Sequence, residues 1–144
     1  MNSSLLVVRI LGQRVAVSTD RIRSVIELGN IIPAPRAPRY IIGLTTLRSR
    51  TLTVIDTACA LGLQDVPQPA RLALVVERDG CGYALLVDEI ENVVTGETGP
   101  CPKGIDLLPG WQRAAQGSLL TESGNVLIID LETVILGPAL EAAA

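Results

Sequence analysis

Histidine does not occur in this chain of 144 residues. That absence removes Ser-His-Asp and Cys-His nucleophile systems, H-E-x-x-H zinc sites and phosphohistidine chemistry from anything the chain does alone. Aromatic residues make up only 2%, and Tyr40 is the only one in the more basic half, which also lacks a continuous basic stripe. A nucleic acid would find no stacking platform there. The three cysteines, Cys59, Cys81 and Cys101, are widely spaced and form no C-x-x-C pair, which argues against a disulfide framework or a zinc site. They are expected as buried or partly buried thiols. No G-x-G-x-x-G or Walker loop is present, so phosphate cradling has no support. Apolar runs such as Leu72–Val76 and Val126–Ile129 stop after four or five residues, far short of the ~18 that span a bilayer. The N-terminal "MNSSLLVVRI" has no basic segment ahead of a long apolar one and does not read as a secretory signal. The expectation is a soluble cytoplasmic protein with no metal, no cofactor and no membrane insertion.

What the chain has in quantity is short apolar segments: hydrophobic residues are 48% of it and mean hydropathy is +0.41. Its length suits one compact domain, 1–144, and a domain of that size buries about 68–70% of its unfolded surface. Period-two or continuous apolar segments fall at Leu5–Leu11, Arg14–Ser18, Ile41–Leu47, Leu52–Ile55, Leu72–Glu77, Tyr83–Val87, Ser118–Thr121 and Val126–Ile129. Turn residues bound many of them, so they read as strands. Turns at Gly12-Gln13, Asp79-Gly80 and Ser123-Gly124 each join two such segments as hairpins. The fold class is all-β with a few short helices. Three prolines make Ile32–Pro38 an extended connection, and the stretch around 63–71 reads as a link between halves.

Those halves repeat. A shift of 68 superposes "LVVRILGQRVAVSTDRIRSVI" from Leu6 on "LVVERDGCGYALLVDEIENVV" from Leu74, and a shift of 74 places Gly43 on Gly117 and Asp56 on Asp130. The units run from about 5 to 62 and from about 72 to 137. In each, an aspartate follows an apolar strand: Asp20, Asp56, Asp88 and Asp130 precede "RIRSVI", "TACAL", "EIENVV" and "LETVIL". All four are read as helix N-caps, worth ~0.5–2 kcal/mol each, with Gly62 and Gly137 as closing glycines. An aspartic dyad from Asp56-Thr57 and its counterpart is disfavoured, because the second copy reads Asp130-Leu131-Glu132 and lacks the hydroxyl. Trp111 is read as half-buried core in preference to a partner anchor. Residues 1–62 hold eight basic and three acidic groups (+5), and residues 63–144 hold four basic and twelve acidic (−8). The expectation is an electrically polar molecule, with either a nucleic-acid face or a head that meets another molecule's tail.

The stretch "PRAPRYIIGLTTLRSRTLTVIDTACALG" resembles the CheW-type coupling proteins of bacterial chemotaxis, whose signature runs P-x-A-P-x-[FY]-I-x-G-x-x-x-L-R-G-x-x-x-P-[VI]-x-D-[LI]. Pro35, Ala37, Pro38, Tyr40, Ile41, Gly43, Leu47, Arg48, Ile55 and Asp56 match it. "YALLVDEIENVV" and "GNVLIIDLETVI" are similar to two later family segments. The resemblance implies two pseudo-symmetric SH3-like five-stranded β-barrels around a shared core. It also implies a non-catalytic adaptor that couples methyl-accepting chemoreceptors, through their cytoplasmic tips, to the regulatory domain of a CheA-type histidine kinase, with ring assembly and receptor arrays at the membrane.

Carried over by position, the resemblance makes Arg48 the arginine beside a receptor-binding groove and Leu47 its neighbour, with Gly43 allowing a neighbouring chain to approach. Ile22 and Val25, on a short helical segment, supply apolar contacts. Arg50 reads equally well as a gatekeeper charge at a hairpin end. The chain departs from the pattern at Ser49 for glycine, at Thr53 for proline, and at Ile22-Arg23-Ser24-Val25, where V-x-E-[IV] would place a glutamate. Arg48 is then either freer or paired with Glu27. These departures suggest a divergent member, serving twitching motility or another output. The alternative from a different class is a stand-alone SH3-like module for another ligand, with nucleic acid as the testable case.

Overall fold

The computed structural model describes residues 2–63, 71–100, 109–121 and 124–137. The elements in chain order are β1 (Asn2–Ile10), β2 (Gln13–Ser18), a 3-10 turn (Thr19–Arg21), β3 (Ile22–Glu27), β4 (Ile32–Pro33), β5 (Ile41–Leu47), β6 (Arg50–Asp56) and α1 (Thr57–Ala60). They continue with β7 (Leu72–Arg78), β8 (Cys81–Val87), β9 (Glu89–Gly99), α2 (Pro109–Ala114), β10 (Ala115–Thr121), β11 (Gly124–Ile129) and α3 (Leu131–Leu136). The all-β reading holds. β1-β2-β11-β10-β9 form a closed five-stranded barrel, and the second sheet runs β3-β7-β8-β6-β5-β4. It has a sixth strand because Ile32–Pro33, expected as an unpaired connection, pairs with Leu44 and Gly43 at the sheet edge, where a proline's missing N–H costs no ladder bond. Each sheet takes a hairpin from one side of segment 64–70 and its other strands from the other side. In each sheet the halves join at one parallel and one antiparallel pair: β2 with β11 and β1 with β9 in the barrel, β6 with β8 and β3 with β7 in the second sheet.

This interleaving explains the continuous apolar runs. In β1, Leu5 points into the closed barrel while Leu6, Val8 and Ile10 point into a central core. In β7, Ala73 and Val75 face the interior of the second sheet and Leu74 and Val76 face the same central core. Strands buried on both faces lose the polar half of their alternation. Trp111 is buried in the central core, beside Ala114 of α2 and Leu131, Val134 and Ile135 of α3.

Four strands carry bulges, and their positions repeat. Arg23 is the extra residue of β3 against β7, and Glu91 that of β9 against β1; these differ by the shift of 68. Ile42 in β5 and Gln116 in β10 differ by the shift of 74. The bulges also correct two expectations: "RIRSVI" and "EIENVV" are not helical but lie in β3 and β9. One extra residue stretches the strand period, so Ile22, Val25, Ile26 and Ile90, Val93, Val94 fall at i, i+3, i+4 and imitate a helix face. Asp20 and Asp88 therefore cap no α-helix; both are exposed, Asp20 within the 3-10 turn and Asp88 ahead of β9.

The other two aspartates do cap. The Asp56 carboxylate accepts from Cys59 N–H at 2.9 Å, and that of Asp130 accepts from Glu132 N–H at 3.1 Å. Gly62 and Gly137 follow the two helices at φ +74° and +83°. Cys59 is buried as expected, but Cys81 is exposed, because it opens β8 at a hairpin tip. Cys101 lies outside the described residues. The first hairpin turn is Leu11-Gly12, one residue earlier than expected, since Ile10 pairs with Gln13.

Candidate partner-binding groove

The β5–β6 hairpin pairs Leu47 with Arg50, which leaves Arg48 and Ser49 as a two-residue turn at φ +51° and +69°. Two successive left-handed residues define a type I′ turn, whose twist matches that of the flanking strands. The side chains of Leu47 and Arg48 stand at one wall of a groove of about 240 Å³. Arg23 and Ser24 of β3 form part of the opposite wall, and Leu52 of β6 and Val75 of β7 supply apolar floor. The groove exists because β3 and β5, both near the ends of the sheet order, do not pair with each other.

Glu77 of β7 sits in this groove between two guanidinium groups. Arg23 Nη2 donates to one carboxylate oxygen at 2.9 Å and Arg50 Nη2 to the other at 2.9 Å. The Arg50 hydrogen bond, followed by the charge of Arg23, holds the Glu77 carboxyl below its ordinary value. Arg48, also exposed, makes no ion pair among the described residues, and the alternative of a pair with Glu27 is not formed. Arg50, read as a gatekeeper, is a partner of Glu77.

The structure thus brings two of the five expected site residues, Leu47 and Arg48, into one groove. Val25 lies one residue beyond Ser24, 44% exposed, on a strand and not on a helix. Ile22 is half-buried against the central core. Gly43 is buried, and the chain that approaches it is its own: a Cβ there would strike the carbonyl of Ile32 in β4. Glu77 and Arg23 escaped sequence reasoning. The repeat held a signal for them, because the shift of 68 relates Arg9 to Glu77 and Arg23 to Glu91, the same ion pair with its charges exchanged.

That exchanged pair is formed. Glu91 accepts from Arg9 at 2.7 Å and from Arg14 at 3.1 Å, with Glu89 a further 3.8 Å partner of Arg9. The adjoining cleft, about 460 Å³, lies where β9 and β10 diverge and is lined by Asn92, Thr121 and Arg14 among others, the repeat counterparts of Ser24, Leu47 and Gly82. A third group joins the sheets: Glu132 of α3 accepts from Arg78 of β7 at 2.9 Å and from Arg21 at 3.4 Å. Five arginines of the +5 half, Arg9, Arg14, Arg21, Arg23 and Arg50, therefore pair with glutamates of the −8 half. The expected electrical polarity is a property of the sequence order. Folding interleaves the two halves and brings the opposite charges together.

Among the described residues, no group of three or more Cys, Asp or Glu is arranged to hold a metal ion, and no helix is long and apolar enough to cross a membrane.

Comparison with known proteins gives a consistent picture. The sequence matches the CheW-like domain over residues 4–137. It is 25% identical over 141 residues to "Chemotaxis protein CheW" of Rhizobium meliloti, covering 96% of this chain and 91% of that one. It is 30% identical over 129 residues to "Probable chemotaxis protein CheW" of Rhizobium etli, covering 85% and 82%. The fold is similar to that of the scaffolding protein TtCheW from Thermoanaerobacter tengcongensis, with TM-score 0.77 at 20% identity over 93% of this chain and 88% of that one.

Proposed function

The chain belongs to the CheW-like domain family, and from that premise we propose that it is a non-catalytic adaptor coupling methyl-accepting chemoreceptors to a CheA-type histidine kinase. The observation that carries this reading is the match over residues 4–137, together with relatives named as chemotaxis proteins that align with most of this chain. In this proposal the chain works in the cytoplasm, within receptor arrays at the membrane, and joins the kinase's regulatory domain in rings. Its chemistry is recognition. A guanidinium group beside aliphatic side chains, as at Arg48 and Leu47, is the kind of group that dominates interfaces, and we assign this groove to the receptor tip.

The test is calorimetric titration with the isolated regulatory domain of a chemotaxis-type kinase from the same organism, repeated with a receptor-tip fragment and with Arg48→Ala. The expected result is micromolar binding to both, with the substitution weakening the receptor leg by about 1–2 kcal/mol or more and leaving the kinase leg intact. Binding to neither would leave only the fold.

A further inference from the structure

We infer that Ser24 is a site of phosphorylation, and that the arginines beside it receive the phosphate and so close the groove from within. This deepens the proposed adaptor role, on which it rests for the consequence of closure and not for the site itself. The segment Arg21-Ile22-Arg23-Ser24 puts two guanidinium groups ahead of a hydroxyl, a charge pattern that an acidic kinase cleft selects. The sequence holds the pattern a second time, at Arg48-Ser49-Arg50-Thr51, and the fold separates the two. Thr51 belongs to β6, which is held on both edges, by β5 and β8, and its side chain alternates away from Arg50 and Leu52, which line the groove. Ser24 belongs to β3, the first strand of that sheet, paired with β7 on one side and open on the other. An open edge is what an enzyme needs to take up an extended segment. Ser24, Arg21 and Arg23 are all exposed. The two arginine side chains, 42% and 69% open, pair with Glu132 and Glu77, and ion pairs of that exposure cost little to release.

Phosphoryl transfer from ATP replaces the Oγ–H bond of Ser24 with an Oγ–P bond, releases ADP and passes the hydroxyl proton to the kinase's base. The product carries a charge of about −1.5 to −2 and three strong acceptor oxygens. Ser24 shares its groove with Arg23, Arg48 and Arg50. Glu77 already engages Arg23 and Arg50 through both of its oxygens, while Arg48 makes no ion pair among the described residues. The phosphate therefore has Arg48 as its open partner, on the wall opposite β3, and a guanidinium fork matches two phosphate oxygens at once. A bridge from Ser24 to Arg48 joins the two walls and occupies the space over Leu52 and Val75.

Peptide mapping by mass spectrometry tests the site, on the chain purified from its own cells and on the folded chain incubated with ATP and an extract of those cells. Phosphate on Ser24 and not on Thr51 is expected, and its loss in Ser24→Ala. Phosphate elsewhere, or none in either sample, would overturn the inference. Phosphorus NMR tests the groove, on a chain in which phosphoserine is incorporated at the Ser24 codon. Guanidinium groups favour the dianion, so the second ionisation should fall about half a unit or more below its ordinary value of about 6 and return toward it in Arg48→Gln. Titration at the ordinary value, unmoved by Arg48→Gln, would overturn the inference as well. The receptor and kinase titrations separate it from the adaptor reading. The phosphorylated chain should bind the receptor tip roughly tenfold or more weakly, with its kinase leg unchanged. Equal receptor binding before and after modification, or an equal loss on both legs, would overturn the closure. Phosphate present on Ser24 and held by Arg48, in a chain whose unmodified form binds neither protein, would remove the adaptor reading alone.

Discussion

At the scale of single residues, the turn that carries Arg48 is strained where its counterparts are not. The Leu11-Gly12 and Asp79-Gly80 turns have the same pair of positive φ angles, and both place glycine second. In the β5–β6 hairpin that place is taken by Ser49 at φ +69°. A left-handed conformation costs a residue with a side chain roughly 1–2 kcal/mol, offset in part by the greater freedom of glycine in the unfolded chain. Ser49→Gly should therefore stabilise the fold by about 0.5–1 kcal/mol, read as a higher denaturant midpoint at unchanged slope; a lower midpoint would contradict the turn assignment. Thr57 gives a second case. Its hydroxyl is buried and has no hydrogen-bond partner among the described residues, and an orphaned polar group costs about 1–3 kcal/mol. Thr57→Val keeps the shape and removes the hydroxyl, so it should be neutral or stabilising by up to ~1 kcal/mol in the same measurement. Arg48 and Leu47 were legible in the sequence because a contiguous motif contains them. Glu77 was not, because in "LALVVER" it is one more charged residue at the end of an apolar strand until folding sets it between Arg23 and Arg50.

At the scale of elements, the strands were legible from their apolar patterns and the two capped helices from Asp56 and Asp130. β3 and β9 were misread because a bulge, like a helix, brings residues i and i+3 to one face, and the apolar residue that follows on the other face completes an i, i+3, i+4 pattern. What the pattern could not carry at all is how the helices meet. Arg113, on α2, donates to the carbonyl of Gly137 at 2.6 Å and to that of Ala60 at 2.9 Å. It thus closes the C-terminal ends of α3 and α1 with one guanidinium group, where carbonyls lack intrahelical partners and a cation is favoured. Arg113→Met keeps much of the packing and removes both bonds, leaving two carbonyls in a partly buried place. A loss of about 2–3 kcal/mol is expected, with only partial recovery in Arg113→Lys because a single ammonium reaches two divergent carbonyls less well than a planar fork. Chemical denaturation of the three proteins would check it, and equal stability of Met and Arg forms would show that the caps contribute nothing.

At the scale of the molecule, the two halves of the sequence are held against each other by charge as well as by the central core. Glu77, Glu91 and Glu132 each accept from two arginines, and each carboxyl is held below its ordinary value, first by a hydrogen bond, from Arg50, Arg9 and Arg78 respectively. A carboxyl whose pKa is lower folded than unfolded binds its proton more readily in the unfolded chain. The stability it contributes is therefore fully present above the unfolded value, about 4.3, and is lost as pH falls through the folded one. Stability should be flat from neutrality to about pH 5 and then decline. Changing all three glutamates to glutamine should lower the neutral plateau and flatten the acid limb. The carboxylates are partly open to solvent, so added salt should narrow the difference between native and triple variant at pH 7. Urea titrations at pH 7, 5, 4 and 3, at low and high salt, would decide it. An acid limb equally steep in the triple variant would mean that other carboxyls drive acid unfolding, and that these ion pairs add little to the strand pairing and apolar packing that join the interleaved halves.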